Sequence, residues 1–165
     1  MTKFYIIFLF IIICLTSCGS NYKPRLVNGE LDLSNKSLKK FPNIGNINKE
    51  EITIINLDNN SLKEFPEEIL SFKNLKTINL SFNEIKKIPQ SISDLKRLKN
   101  LNIRGNYISS LPKSLKLMEN LRLVLLIDTD LSEKEIELMK CSLPAKCELF
   151  YSKSIRDYPP YTCNY

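Results

Sequence analysis

Between Leu75 and Asn120 the chain passes twice through one order of apolar and polar positions, LKTINLSFNEIKKIPQSISDLKR from Leu75 and LKNLNIRGNYISSLPKSLKLMEN from Leu98. The alternation Ile78-Asn79-Leu80 predicts a short strand with Ile78 and Leu80 turned inward and Asn79 outward. Behind it, Pro66, Pro89 and Pro112 are placed to open a helical or 3₁₀ turn, where a missing N–H costs nothing. Ile69 and Phe72, Ile92 and Leu95, and Leu115 and Met118 follow at a spacing of three and are expected to cover the other side of the core.

The same frame extends well beyond these two copies. LKKFP, LKEFP, IKKIP and ISSLP end at Pro42, Pro66, Pro89 and Pro112, and the matched apolar positions Leu33, Leu57, Leu80, Ile103 and Leu126 recur at a step of 24 and then of 23 residues. A fixed period of this size means a solenoid. The pattern resembles the leucine-rich repeat, L-x-x-L-x-L-x-x-N-x-L-x-x-L-P, in its bacterial form of about 23 residues. The resemblance implies an α/β fold, a right-handed leucine-rich repeat solenoid shaped as a short horseshoe of about five repeats. Its short parallel strands would lie on the concave face. It also implies that Asn60, Asn83 and Asn106 bond the backbone of adjacent coils into a ladder, a task suited to an amide that both donates and accepts.

No single coil buries its apolar face, so the stack must be closed at both ends. The first copy is degraded, with Asn28 in place of the leading leucine and Lys36 in place of the ladder Asn; the last has Thr129 for its Asn and lacks its Pro. Ser132 and Glu135 have capping-box spacing, Ile136, Met139 and Leu143 line one face of a short helix, and Cys147 to Tyr151 reads as a last strand. The expected organisation is a repeat domain over 28–131, a C-terminal cap over 132–151 and an irregular tail over 152–165.

The first residues depart from this pattern. Lys3 precedes the apolar segment Phe4 to Leu15, twelve residues against the roughly 20 that a helix needs to cross a bilayer. Together with Thr16 and Ser17 this has the parts of a secretory signal peptide. Leu15-Thr16-Ser17-Cys18 resembles a bacterial lipobox, which implies cleavage after residue 17, diacylglycerol on the Cys18 thiol, and a lipidated tether over 18–27. An ordinary signal peptide and an uncleaved anchor are the alternatives. Taken together, the chain resembles the leucine-rich repeat lipoproteins of spirochaetes and other bacteria. That implies a lipid-anchored protein of the cell envelope, at the outer membrane, with surface display one of two orientations.

An exported domain meets an oxidising space, and Cys141, Cys147 and Cys163 remain after the leader. Sequence leaves three pairings open. Cys141 with Cys163 would pin the tail to the cap with Cys147 packed inside; three reduced thiols is the other reading.

The 165-residue chain has no histidine and only four glycines. The commonest general base is therefore missing, and no glycine arrangement cradles a phosphate. Paired C-x-x-C spacing is also absent, which disfavours zinc. No catalytic residue, metal or cofactor is assigned, and nothing resembles a nucleic-acid motif.

The surface that remains is the concave face. Its outward positions are Asn56 and Asp58, then Asn79, Ser81 and Phe82, then Asn102 and Arg104, with Leu123, Leu125 and Ile127 as an apolar end that the cap is expected to cover. The Asn56, Asn79 and Asn102 column either hydrogen-bonds an incoming protein or satisfies itself, and Phe82 and Arg104 are of the types that anchor interfaces. Five strands about 4.8 Å apart make a face only about 20 Å long. The expectation is a monomer that binds a protein ligand, a host protein or one of the same cell. With a net charge of +6, Lys39, Lys40, Lys63, Lys86 and Lys87 form a basic rim along one edge, weakly attractive to anionic lipid or polysaccharide.

Overall fold

The structure, a computed structural model, describes residues 25–127, 132–140, 143–151 and 161–162. One eight-stranded sheet runs through them in sequence order: β1 (Arg25–Val27), β2 (Glu30–Asp32), β3 (Ile54–Asn56), β4 (Thr77–Asn79), β5 (Asn100–Asn102), β6 (Leu123–Leu125), β7 (Glu148–Phe150) and β8 (Tyr161–Thr162). From β2 to β7 every pairing is parallel and in register, so that Leu31, Ile55, Ile78, Leu101, Val124 and Leu149 form one row. All six are fully buried. Leu33, Leu57, Leu80, Ile103 and Leu126 make the row beside it and are buried too. The fold is a leucine-rich repeat solenoid.

Each coil closes in the same way. Three-residue strands give way to a corner, and then Pro66, Pro89 and Pro112 stand in extended conformation before the 3₁₀ turns Glu67–Ser71, Gln90–Asp94 and Lys113–Leu117. Proline fits there because its fixed φ directs the chain into the turn and its absent N–H was not needed. Ile69, Ile92 and Leu115 bury the inner side of those turns, with Phe72, Leu95 and Met118 behind them. Pro42 leads into no such turn directly. In that coil the 3₁₀ turn is Lys49–Glu51, begun by Asn48, whose side chain accepts from the N–H of Glu50.

Both ends of the sheet differ from the sequence-based expectation. Arg25–Val27, expected in the tether, pairs antiparallel with β2. Asn28 does not stand in for a leading leucine; with Gly29 it makes the two-residue connection of that hairpin, at φ 51° and 78°. Two left-handed residues in an Asn-Gly step are what a type I′ turn requires. At the far end, the expected cap strand adds a sixth parallel strand, where five repeats were expected. Tyr161–Thr162, expected in an irregular tail, pairs antiparallel with β7. The physical reason is common to both: a terminal parallel strand exposes a row of unpaired N–H and C=O groups, which an antiparallel neighbour covers.

Between β6 and β7 lies α1 (Glu133–Lys140), whose first bond runs from Ile136 N to Ser132 O at 3.0 Å. Ile136 and Met139 join the core from it, and Leu143 does so after the helix has ended. Cys147 is buried in the core beside Leu149. Cys14, Cys18, Cys141 and Cys163 lie outside the described residues, and with them the expected lipidation site and disulfide.

Candidate functional site: the concave strip and its aromatic corner

Asn60, Asn83 and Asn106 sit at the corner after each strand and are buried. The Asn83 amide nitrogen reaches the carbonyls of Leu57, Leu80 and Ser81 at 2.9, 3.0 and 3.1 Å, and its oxygen accepts from Leu62 N at 3.0 Å. Asn106 repeats this with Leu80, Ile103 and Arg104 and accepts from Ile85 N. Asn60 accepts from Lys36 N and Leu38 N of the degraded first coil, so the coil without its own Asn is held by the next. These residues are buried and engaged in building the corner.

The outward column is engaged within the chain as well. Asn56, Asn79 and Asn102 each accept, through Oδ1, the N–H of the residue two places on, Asp58, Ser81 and Arg104. Such Asx turns lead the backbone out of the strand. Asn79 Nδ2 donates to Asn56 Oδ1 at 3.1 Å. The Ser81 hydroxyl lies 2.6 Å from both Asp58 Oδ1 and Asn79 Oδ1. Ser81 was expected to face a ligand, but it is only 3% exposed, because this network draws it under its neighbours. Ile127 is buried too, whereas Leu123 and Leu125 are half-buried beside β7 rather than at the end of the face.

One corner residue behaves differently. The position after Asp58, Ser81 and Arg104 is left-handed in successive coils, with Asn59 at φ 52°, Phe82 at 51° and Gly105 at 61°. Asparagine and glycine are the residues that tolerate this region; phenylalanine is not. Phe82 is nonetheless 46% exposed, and the Arg104 guanidinium carbon lies 4.9 Å from the centre of its ring. A Cβ on Gly105 would come within 2.7 Å of Phe82 Cδ1, so the ring takes the space that a side chain there would fill. Sequence reasoning singled out Phe82 and Arg104 as interface types; the backbone geometry and the seat on Gly105 were not visible in it.

The hollow behind the Asn60 corner, on the same flank as Phe82, measures about 860 Å³ and is lined by Lys39, Lys40 and Lys63 together with Glu64, Glu67, Glu68 and Glu84. The rim expected to be basic is therefore mixed in charge there. Among the described residues, no group of histidine, cysteine, aspartate and glutamate is arranged to hold a metal, and no helix is long and apolar enough to cross a membrane.

Comparison with known proteins agrees with this geometry. Residues 50–108 match the leucine rich repeat family model. The chain is similar in structure to a leucine-rich repeat protein of Leptospira interrogans, at 34% identity and a TM-score of 0.58 over 61% of this chain and 26% of that one. An internalin of Listeria monocytogenes aligns at 20% identity and TM-score 0.52, over 65% of this chain and 32% of its own. A Shigella effector leucine-rich repeat domain aligns at 22% and 0.52, over 75% and 48%; these two speak to the fold alone. The chain thus spans between a quarter and a half of the length of these structures. None of the curated proteins matches it significantly. By fold and by repeat the described residues form a leucine-rich repeat solenoid, an architecture that commonly binds other proteins.

Proposed function

We propose that this protein is a lipid-anchored, exported binding module whose concave strip holds a protein partner at the Phe82–Arg104 corner. The observation that carries the reading is the exposed aromatic ring kept at φ 51° against Gly105 and under a guanidinium. Strain retained at an exposed position points to use rather than to packing. Aromatic and arginine side chains are the types that dominate binding energy, and concave solenoid faces are where such proteins dock.

The sequence Leu15-Thr16-Ser17-Cys18 supports anchoring through acyl chains on Cys18. From there the seven residues to Arg25 reach at most about 25 Å, so the β1 end of the solenoid stands near the bilayer and the Phe82 corner two coils farther out. A host protein is the partner for a surface-displayed domain, and an envelope protein of the same cell for an inward-facing one.

The full-length chain, displayed in its cells, provides the test. Metabolic labelling with a palmitate analogue is expected to mark the native chain and not Cys18→Ser. Capture from host matrix and from envelope extract is expected to yield a ligand that Phe82→Ala and Arg104→Ala lose by at least about tenfold, as for interface anchors. Equal capture by native and altered proteins would remove the concave-corner assignment, and equal labelling would remove the anchor.

A further inference from the structure

A second feature borders the same strip on its other edge. Lys76, Lys99 and Arg122 occupy the position just before β4, β5 and β6. Their backbones are stacked directly, Lys99 N donating to Lys76 O at 2.8 Å and Arg122 N to Lys99 O at 2.7 Å. Three cationic side chains therefore leave one edge at the spacing of adjacent strands, about 4.8 Å. Thr53 precedes them in the column, Lys76 N donating to Thr53 O, and Cys147 follows, since Leu123 pairs with Glu148. Lys76 and Lys99 are exposed, as are Lys73, Lys96 and Arg97 in the turns leading to them. The Arg122 Nη1 donates to the carbonyls of Glu119 and Leu121 at 2.6 and 2.9 Å, which fixes its head in place.

The adjoining column on the strip runs from Glu30 through Ile54, Thr77, Asn100 and Leu123 to Glu148, with the four middle residues half-buried. Apolar and hydrogen-bonding groups next to a straight line of cations suit a polypeptide carrying acids on one side better than a polysaccharide, which presents little apolar surface. The mixed charges behind the Asn60 corner, on the Phe82 flank, offer no comparable line.

We propose that this edge seats an acidic segment of the protein partner, its carboxylates facing Lys76, Lys99 and Arg122. The inference rests on the concave strip being the binding surface. It adds the partner's charge and the side on which that charge lies. Complementary charge of this kind sets encounter rate and orientation more than raw affinity, and it weakens as salt rises.

The probe is a short fluorescent poly-L-glutamate peptide, titrated by anisotropy into the full-length chain. Binding at low salt that fades at high salt is expected. The double change Lys76→Glu with Lys99→Glu should weaken it by at least about tenfold, whereas Lys40→Glu with Lys63→Glu leaves it within about twofold, circular dichroism showing both folded. Absence of low-salt binding, or equal loss from the two reversals, overturns the proposal. So does column-dependent binding of dextran sulfate without binding of polyglutamate, which would make the ligand a polysaccharide. Phe82→Ala is expected to leave polyglutamate binding unchanged, so failure here is read separately from failure of the Phe82–Arg104 corner, which partner capture reports.

Discussion

Arg104 lies over the ring of Phe82 across the boundary between two coils, its guanidinium carbon 4.9 Å from the ring centre. An exposed cation–π contact is worth about 0.5–1 kcal/mol. Holding an ordinary residue in the left-handed region costs roughly 1–2 kcal/mol. The cation–π contact alone thus does not offset the conformation, which asparagine or glycine adopts at lower cost in the other coils.

Phe82→Asn should separate stability from binding. The equivalent Asn35 and Asn59 hold φ 57° and 52°, so asparagine relieves the strain while losing the contact with Arg104. We expect a melting temperature equal to or a few degrees above that of the native chain, together with loss of ligand capture. A clear drop in thermal stability would show that the ring serves packing instead.

Gly105→Ala attacks the same platform from beneath. Its φ of 61° disfavours a side chain, and the added Cβ would press to 2.7 Å from the Phe82 ring. The expected cost is about 1–2 kcal/mol in denaturant unfolding, with the ring displaced and capture reduced as far as in Phe82→Ala. Quenching of a label placed on the strip would report the displacement.

Much of this architecture is legible in the sequence, because a coil that repeats every 23 residues announces its buried rows. Leu57, Leu80, Ile103 and Leu126 mark one, and the Pro-led turns with Ile69, Ile92 and Leu115 mark the far wall. The ends were less legible, since they are defined by breaking the repeat. Asn28-Gly29 carries the short-range signal of a hairpin, but inside a repeat frame it reads as a worn first copy. Tyr161–Thr162 has no signal of its own; it is a strand only because β7 leaves an edge to cover. At the candidate site the residue types were visible, and the left-handed backbone of Phe82, the burial of Ser81 and the mixed charge beside Lys63 were not. Each depends on neighbours a coil away.

Gly29→Ala tests the N-terminal closure. Gly29 has φ 78°, and a Cβ there would lie 2.8 Å from the carbonyl oxygen of Glu51, a backbone atom that cannot swing aside. Gly29 O also accepts from Thr53 N and Ile54 N at 2.8 and 3.1 Å, tying the hairpin to the next coil. Strain at such a position is among the mechanisms of large destabilisation, and about 2–3 kcal/mol is expected. Hydrogen exchange should show the loss concentrated in β1 and β2, because neighbouring coils are coupled only through shared interfaces.

Asn83 provides the sharpest test of what holds the coils together. Replacing it with alanine leaves the N–H of Leu62 without its acceptor, while the carbonyls of Leu57, Leu80 and Ser81 lose one donor each and keep Asn60, Asn106 and the N–H of Asn59. At roughly 1–3 kcal/mol for a buried group left unsatisfied, the expected loss is about 1–3 kcal/mol. Asn83→Asp keeps the size and the acceptor for Leu62 but turns a second oxygen toward three carbonyls. Burial and those carbonyls disfavour the charged form, so the new carboxyl would titrate above its unfolded value. A group of that kind binds more protons folded than unfolded, and stability therefore falls as pH rises through its range. Urea midpoints should place Asn83→Asp below Asn83→Ala at neutral pH and bring it back toward the native value in mild acid, where the protonated carboxyl donates to one carbonyl. If the two variants unfold alike at every pH, the amide nitrogen is not what joins one coil to the next.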